Sequence, residues 1–175
     1  EKTSKFQRKL KVKNYIQVRE VSLRDGLQLV HSFVPTNIKR EWYKQIIETG
    51  FSEVEITSMV PKTTLTQFND SIEMIKYSNS FSKHLGCVLV PNLKGAQLAF
   101  EAKAKKINFV LSASQEHNLA NVKMTTSQSL EVLKEIMTLK NSDGLTKDIK
   151  VIGSISTSFG CSISGETPET KVLNL

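Results

Sequence analysis

At 175 residues the chain is long enough for one hydrophobic core and short for two. With 39% apolar and 23% charged residues it has the make-up of a folded protein, which excludes a low-complexity or disordered class. The net charge of +7 suits an anionic partner but does not choose between nucleic acid, a membrane surface and a phosphate-bearing small molecule.

In chain order, residues 1–15 read as a basic extension, densest from Lys5 to Lys13, and residues 16–175 as one folded unit. The β-branched stretch "YIQVREVSL" predicts a first strand. "VPTNIKREWYKQIIETG" predicts a helix capped by Thr36 and stopped by Gly50, with Ile38, Trp42, Ile46 and Ile47 on its inner face. A second strand follows at Ser52–Ser58, where alternation sets Glu53, Glu55 and Thr57 on one side. A helix with Leu65, Phe68, Ile72 and Ile75 at helical spacing comes next. "HLGCVLVPN" is a third strand, "LKGAQLAFEAKAK" a short helix and "KINFVLSAS" a fourth strand. "TTSQSLEVLKEIMTLK" then predicts a helix with Thr125 and Gln128 at capping-box spacing and Leu130, Leu133, Ile136 and Met137 inward. "KDIKVIGSISTS" is a fifth strand, and Thr167 with Pro168 opens a last helix at the end of the chain.

Strands alternating with helices signal an α/β fold built on a parallel sheet. A doubly wound open sheet and part of a (β/α)8 (TIM) barrel both satisfy the rhythm. No G-x-G-x-x-G follows the first strand, and polar residues end every strand, which favours the barrel. A whole barrel typically takes about 250 residues. The chain supplies five strands with their helices, so it is expected to be the N-terminal part of a longer protein. No run approaches the roughly 18 apolar residues of a membrane span.

The residues able to carry chemistry gather at strand ends. Arg24-Asp25 closes the first strand: either turn chemistry with a local ion pair, or a hard carboxylate for Mg²⁺ or Mn²⁺ beside a permanently charged fork for an oxyanion. Gln28 could add a neutral hydrogen bond. Glu55, late in a central strand, must be paired or useful, as a buried salt bridge or as a site residue facing Arg24. His31, His84 and His117 stand apart, without metal-ligand spacing. Cys87 and Cys161 form no C-x-x-C pair, and nothing at short range marks Cys161 as an activated nucleophile. Nucleic-acid binding would rest on charge alone, without an aromatic-plus-basic surface.

These same stretches resemble one family. "EVSLRDGLQ" is similar to the "EVGPRDGLQNE" opening of the 3-hydroxy-3-methylglutaryl-CoA lyases, a branch of the pyruvate carboxyltransferase-like TIM-barrel superfamily. "GFSEVEITSMVPK", "LVPNLKGAQLA", "SASQEHNLANVKMTTSQSLE" and "SISTSFGCSISGETP" resemble its later motifs in order. The resemblance implies a TIM barrel that uses Mg²⁺ or Mn²⁺ to cleave hydroxymethylglutaryl-CoA into acetyl-CoA and acetoacetate. Position by position it implies Asp25 as metal ligand, Arg24 as the residue that binds substrate and stabilises the enolate, Glu55 as a glutamate of the catalytic site, Gln28 as a substrate-binding residue and Cys161 as a family cysteine other than the catalytic one. The remaining metal ligands and the catalytic cysteine belong to a second half that has no counterpart here.

The resemblance further implies an acyl-CoA substrate, no nucleic-acid or membrane partner, a homodimer at full length, and a cytoplasmic location with the mitochondrial matrix as the alternative. Ser22-Leu23 replaces the family's Gly-Pro, Leu29-Val30 its Asn-Glu, and Ser162 its proline after the cysteine. A Claisen-type acyl-CoA synthase or aldolase of the same superfamily, and a non-catalytic truncated homologue, are the alternative readings.

Overall fold

Alternation along the strands separates the chain into two faces. Val54, Ile56, Val88, Val90, Ile107, Phe109 and Leu111 join one buried apolar cluster with side chains from the helices. Glu53, Glu55, Cys87, Lys106 and Asn108 fall between them in sequence and stay outside that cluster. Successive residues of a strand point to opposite faces, so the sheet has one face for the helices and one that is polar. The computed structural model describes residues 16–61, 63–142 and 144–175. The basic extension expected over residues 1–15 lies outside them.

The elements follow in order: β1 (Arg19–Glu20), a single π-helical turn (Ser22–Gly26), α1 (Thr36–Glu48), β2 (Glu53–Ser58), a 3-10 turn (Thr66–Phe68), α2 (Ser71–Asn79) and β3 (Leu85–Val90). Then come α3 (Leu93–Glu101), β4 (Lys106–Ser112), α4 (Gln115–Val122), α5 (Thr126–Ser142), β5 (Lys150–Ser156) and α6 (Glu169–Leu173). The five strands are parallel and lie side by side in chain order. A doubly wound sheet reverses its order at a switch point and covers both faces with helices. Here the order never reverses, and α1, α2, α3 and α5 all feed the same apolar cluster. The fold is therefore a curled half-barrel, the N-terminal five-strand portion of a (β/α)8 barrel.

Where packing overrides periodicity, the structure departs from the expected faces. The buried stripe of α1 is Lys39, Tyr43 and Ile47, one residue out of phase with the expected one, while Ile38 and Trp42 are 39% and 38% exposed. Lys39 is buried because Nζ reaches Asp70 at 2.9 and 3.1 Å and the Gln67 carbonyl, and it lies over the Phe33 ring. Tyr43 sits edge-on to Tyr77 and Phe81. Ile72 and Met137 are likewise half-exposed rather than inward, and the buried positions nearby are Met74, Ile75 and Ile136.

In β2 a bulge shifts the register: Glu55 pairs with Cys87, but Thr57 pairs with Val88 and Ser58 with Leu89. The extra residue turns Thr57 onto the helix side, where its hydroxyl lies 2.6 Å from Ser71 Oγ on α2. The stretch after β4, expected as a loop, begins with α4, capped by Ser114 accepting from His117 N and ended by Lys123 in the left-handed region. Thr125 and Gln128 form the expected capping box before α5.

The N-terminus of α3 is pressed onto the end of β2. Asn92 caps it by accepting from Gly95 N at 2.8 Å, and a Cβ added at Gly95 would stand 2.9 Å from the Met59 carbonyl. Backbone cannot yield as a side-chain tip can. Gly95→Ala is expected to lose about 1–3 kcal/mol of stability, read as a lower urea midpoint at constant slope.

Candidate functional site

The first strand is short because the chain turns sharply after Glu20. The Val21 carbonyl accepts from Arg24 N at 3.1 Å and Asp25 N at 2.7 Å, closing the π-helical turn. Leu23 and Leu27, four residues apart, are buried in the core and anchor the turn from beneath. Glu20 holds its entrance through Ser22 N and Oγ, both at 2.9 Å. With those anchors inward, Arg24 and Asp25 stand at the C-terminal end of the sheet beside β2.

There Arg24 lies between two carboxylates. Its Nε donates to Glu55 Oε1 at 2.6 Å and its Nη1 to Asp25 Oδ1 at 2.6 Å. Nη2 has no hydrogen-bond partner among the described residues. The two carboxylates live in different surroundings: Glu55 is 1% exposed, whereas the Asp25 side chain is 60% exposed. Glu55 also accepts from Arg19 Nη1 on β1 at 3.4 Å. Arg19 Nε reaches Glu53 Oε1 at 2.5 Å, and Lys106 Nζ on β4 meets Glu53 Oε2 at 2.7 Å. Lys106, Glu53, Arg19, Glu55, Arg24 and Asp25 thus form one chain of alternating charge along the polar face.

Of the four residues singled out from the sequence, Arg24, Asp25 and Glu55 come together. Gln28 does not join them: it is exposed and bonds to none of the three. The sequence reading missed Arg19 and Lys106. The available signal was that Arg19 and Lys106, like the glutamates of β2, interrupt strands otherwise built from apolar residues.

The histidines hold structural positions or stand free of the site. His84 Nδ1 lies 3.0 Å from the Phe51 carbonyl, His117 Nδ1 lies 2.8 Å from Ser112 Oγ, and His31 is exposed. Ser58 Oγ, at the end of β2, is buried without a hydrogen-bond partner among the described residues.

The donor set decides what the described residues can do with a divalent cation. No group of three or more His, Cys, Asp and Glu side chains among them could hold one. Asp25 offers a single hard oxygen donor with its other oxygen free, against the octahedral set that Mg²⁺ requires. These residues do not by themselves make a metal site, and no chemical step is derived through one.

The loop after β5 holds a second feature that short-range sequence did not reveal. Cys161 and Gly165 exchange backbone hydrogen bonds at 2.7 and 2.8 Å, folding residues 161–165 into a tight hairpin. Hydrogen bonding by the Ser114 hydroxyl, then the Ser164 hydroxyl and amide, lowers the Cys161 thiol to about 7. Ser164 Oγ donates to Ser114 Oγ at 2.9 Å, tying the loop to the N-cap of α4. Cys87 behaves oppositely, since burial inside the sheet pushes its thiol up to about 12.

Residues 15–175 match the HMGL-like family. The chain is 32% identical over 160 residues to the hydroxymethylglutaryl-CoA lyase YngG of Bacillus subtilis, covering 91% of this chain and 52% of that protein. It is 34% identical over 157 residues to the mitochondrial hydroxymethylglutaryl-CoA lyase of Gallus gallus, covering 90% and 51%. Among solved structures, an HMG-CoA lyase from Acinetobacter baumannii in complex with coenzyme A and 3-methylmalate superposes with a TM-score of 0.81 at 38% identity, covering 89% of this chain and 50% of that one. The chain spans about half the length of the relatives it matches.

The two thiols generate a direct test. Cys161 keeps 8% of its surface exposed and Cys87 none, so a small alkylating agent is expected to modify Cys161, with a pH midpoint near 7, and to leave Cys87 unmodified. The sign follows from the stabilised thiolate: Ser164→Ala removes the hydroxyl hydrogen bond to it, keeps the backbone amide one, and should move the midpoint upward. Mass spectrometry of the two cysteine peptides across pH reads both outcomes.

Proposed function

The chain belongs to the HMGL-like family, and we propose that the protein of which it forms a part is a carbon–carbon lyase that cleaves 3-hydroxy-3-methylglutaryl-CoA to acetyl-CoA and acetoacetate. Residues 16–175 would be the N-terminal part of its barrel domain. The observation that carries the reading is Arg24, fixed by Glu55 and Asp25 at the C-terminal end of the strands with Nη2 uncommitted. That end of a barrel is where such enzymes build their sites. The lyase names of the relatives support the reaction class, and the coenzyme A in the Acinetobacter complex supports an acyl-CoA substrate.

The reaction is a retro-Claisen cleavage. A base removes the proton of the C3 hydroxyl, the C3 carbonyl forms, and the C2–C3 bond breaks. Its electron pair moves onto the thioester carbonyl as an enolate, which an acid then protonates at C2. Base and acid are assigned to residues outside this chain. Arg24 Nη2 donates a charge-assisted hydrogen bond to the carbonyl oxygen, and the bond strengthens as negative charge develops there. Glu55 holds the guanidinium aimed. Gln28, exposed beyond the turn, adds a neutral hydrogen bond to the substrate.

Asp25 is assigned as one oxygen ligand of Mg²⁺ or Mn²⁺, whose other ligands lie outside this chain. The net charge of +7 favours approach of the anionic coenzyme. Among the described residues no helix is long and apolar enough to cross a membrane.

Full-length protein is expected to release acetoacetate from 3-hydroxy-3-methylglutaryl-CoA. Arg24→Met should lower kcat roughly 10²–10³-fold while KM changes little, because the lost interaction grows only in the transition state. Near-normal turnover in that variant, or condensation in place of cleavage by the parent, would overturn the assignment.

A further inference from the structure

We propose that Arg19 is a positioning residue for Arg24, acting through Glu55 from the interior of the barrel. The inference rests on the lyase reading for its kinetic arm only. Glu55 is buried, and each of its oxygens has one cationic partner: Oε1 takes Arg24 Nε at 2.6 Å and Oε2 takes Arg19 Nη1 at 3.4 Å. A buried carboxylate satisfies both oxygens wherever it can, and an arginine is the partner best shaped to satisfy both at once. Arg19 prevents that outcome. By occupying Oε2 it holds Glu55 to a single contact with Arg24, so that Arg24 Nη1 stays on Asp25 and Nη2 stays free.

Arg19 is itself held. Its Nε is bound to Glu53 Oε1 at 2.5 Å, and Lys106 Nζ occupies the other oxygen of Glu53 at 2.7 Å. Each carboxylate in the barrel interior therefore has two cations, one on each oxygen. Among the described residues only Arg19 touches both glutamates, and its fork lets it do so with two different nitrogens. A lysine offers one nitrogen and cannot span the pair as a fork does. Without Arg19, Glu55 would turn both oxygens onto Arg24, close a two-bond pair and draw the guanidinium away from Asp25. The donor assigned to the thioester oxygen would then be used inside the protein.

The test uses the full-length protein and its Arg19→Met, Arg19→Lys and Glu55→Gln variants. Arg19→Met is expected to lower kcat by roughly 10–100-fold with KM changed less than about 3-fold, since the substrate still binds but the transition-state donor is misdirected. Arg19→Lys retains charge and folding and is expected to lose an intermediate factor, so it carries the test if the methionine variant fails to fold. On a Glu55→Gln background, Arg19→Lys should cause no further loss, because the carboxylate through which it acts has gone. A purely structural role would lower stability in both backgrounds alike. Unchanged kcat in a folded Arg19→Lys protein, or a full multiplicative loss on the Glu55→Gln background, would overturn the proposal. A crystal structure of Arg19→Lys decides it independently of turnover: Glu55 paired through both oxygens with Arg24 supports it, and an unmoved Arg24 overturns it. If the parent enzyme shows no lyase activity, the functional reading fails and that crystallographic arm still stands.

Discussion

A carboxylate with 1% of its surface exposed has lost its water and must be given partners from within the protein. Glu55 imposes that demand on two elements at once. Arg19 answers from β1 and Arg24 from the turn beyond it, while the second glutamate of β2 is met by Arg19 and by Lys106 from β4. Removing one partner of such a pair costs roughly 3–5 kcal/mol, so the pairing also fixes how the strands lie against one another. The alternation of three cations with three anions leaves the row neutral. A half-barrel can therefore carry a charged interior without one sign accumulating in it.

The sheet can spend its inner face on charge because its outer face carries the core. Val54, Ile56, Val88, Val90, Ile107 and Phe109 pack against the helices, and the opposite pleat is freed for groups that bind one another. Past β5 the apolar side chains of Phe159, Ile163 and Leu173 lie exposed. Parallel strands are stable when covered on both faces and paired at both edges. β1 and β5 each keep one edge without a strand partner among the described residues.

What the sequence made legible was what depends on near neighbours. The βα rhythm, the capping box of Thr125 and Gln128, and the Arg24-Asp25 pair at the end of the first strand are local patterns, and the fold kept them. Glu55, expected late in its strand, is instead the third of the six residues of β2. What stayed hidden depends on partners far along the chain. Lys39 reads as a surface residue until Asp70 and Gln67 are brought to it, and its burial rotates the inner stripe of α1 by one position. The bulge between Glu55 and Thr57 leaves no compositional mark, yet it breaks the alternation that had placed Thr57 beside the glutamates. Cys161 reads as an ordinary loop cysteine because Ser114, the first cause of its lowered thiol, comes from the end of a different strand. Gln28 shows the converse: a motif neighbour in sequence that the turn leaves outside the cluster.

The two carboxylates that flank Arg24 show how surroundings divide labour between chemically similar groups. Glu55 is enclosed, and both its oxygens are already taken by arginines, so it has nothing left to offer a ligand. Asp25 is mostly exposed, has given one oxygen to Arg24 and keeps the other toward solvent. Under the proposed function the first can only orient and the second can only bind. Exchanging their environments would exchange their parts: a buried Asp25 would be consumed by Arg24, and an exposed Glu55 would no longer restrain it. The adjacency of arginine and aspartate in the sequence is thus only half of the device. The other half is the glutamate on the next strand, buried deeply enough that the arginine between them has one direction in which to point.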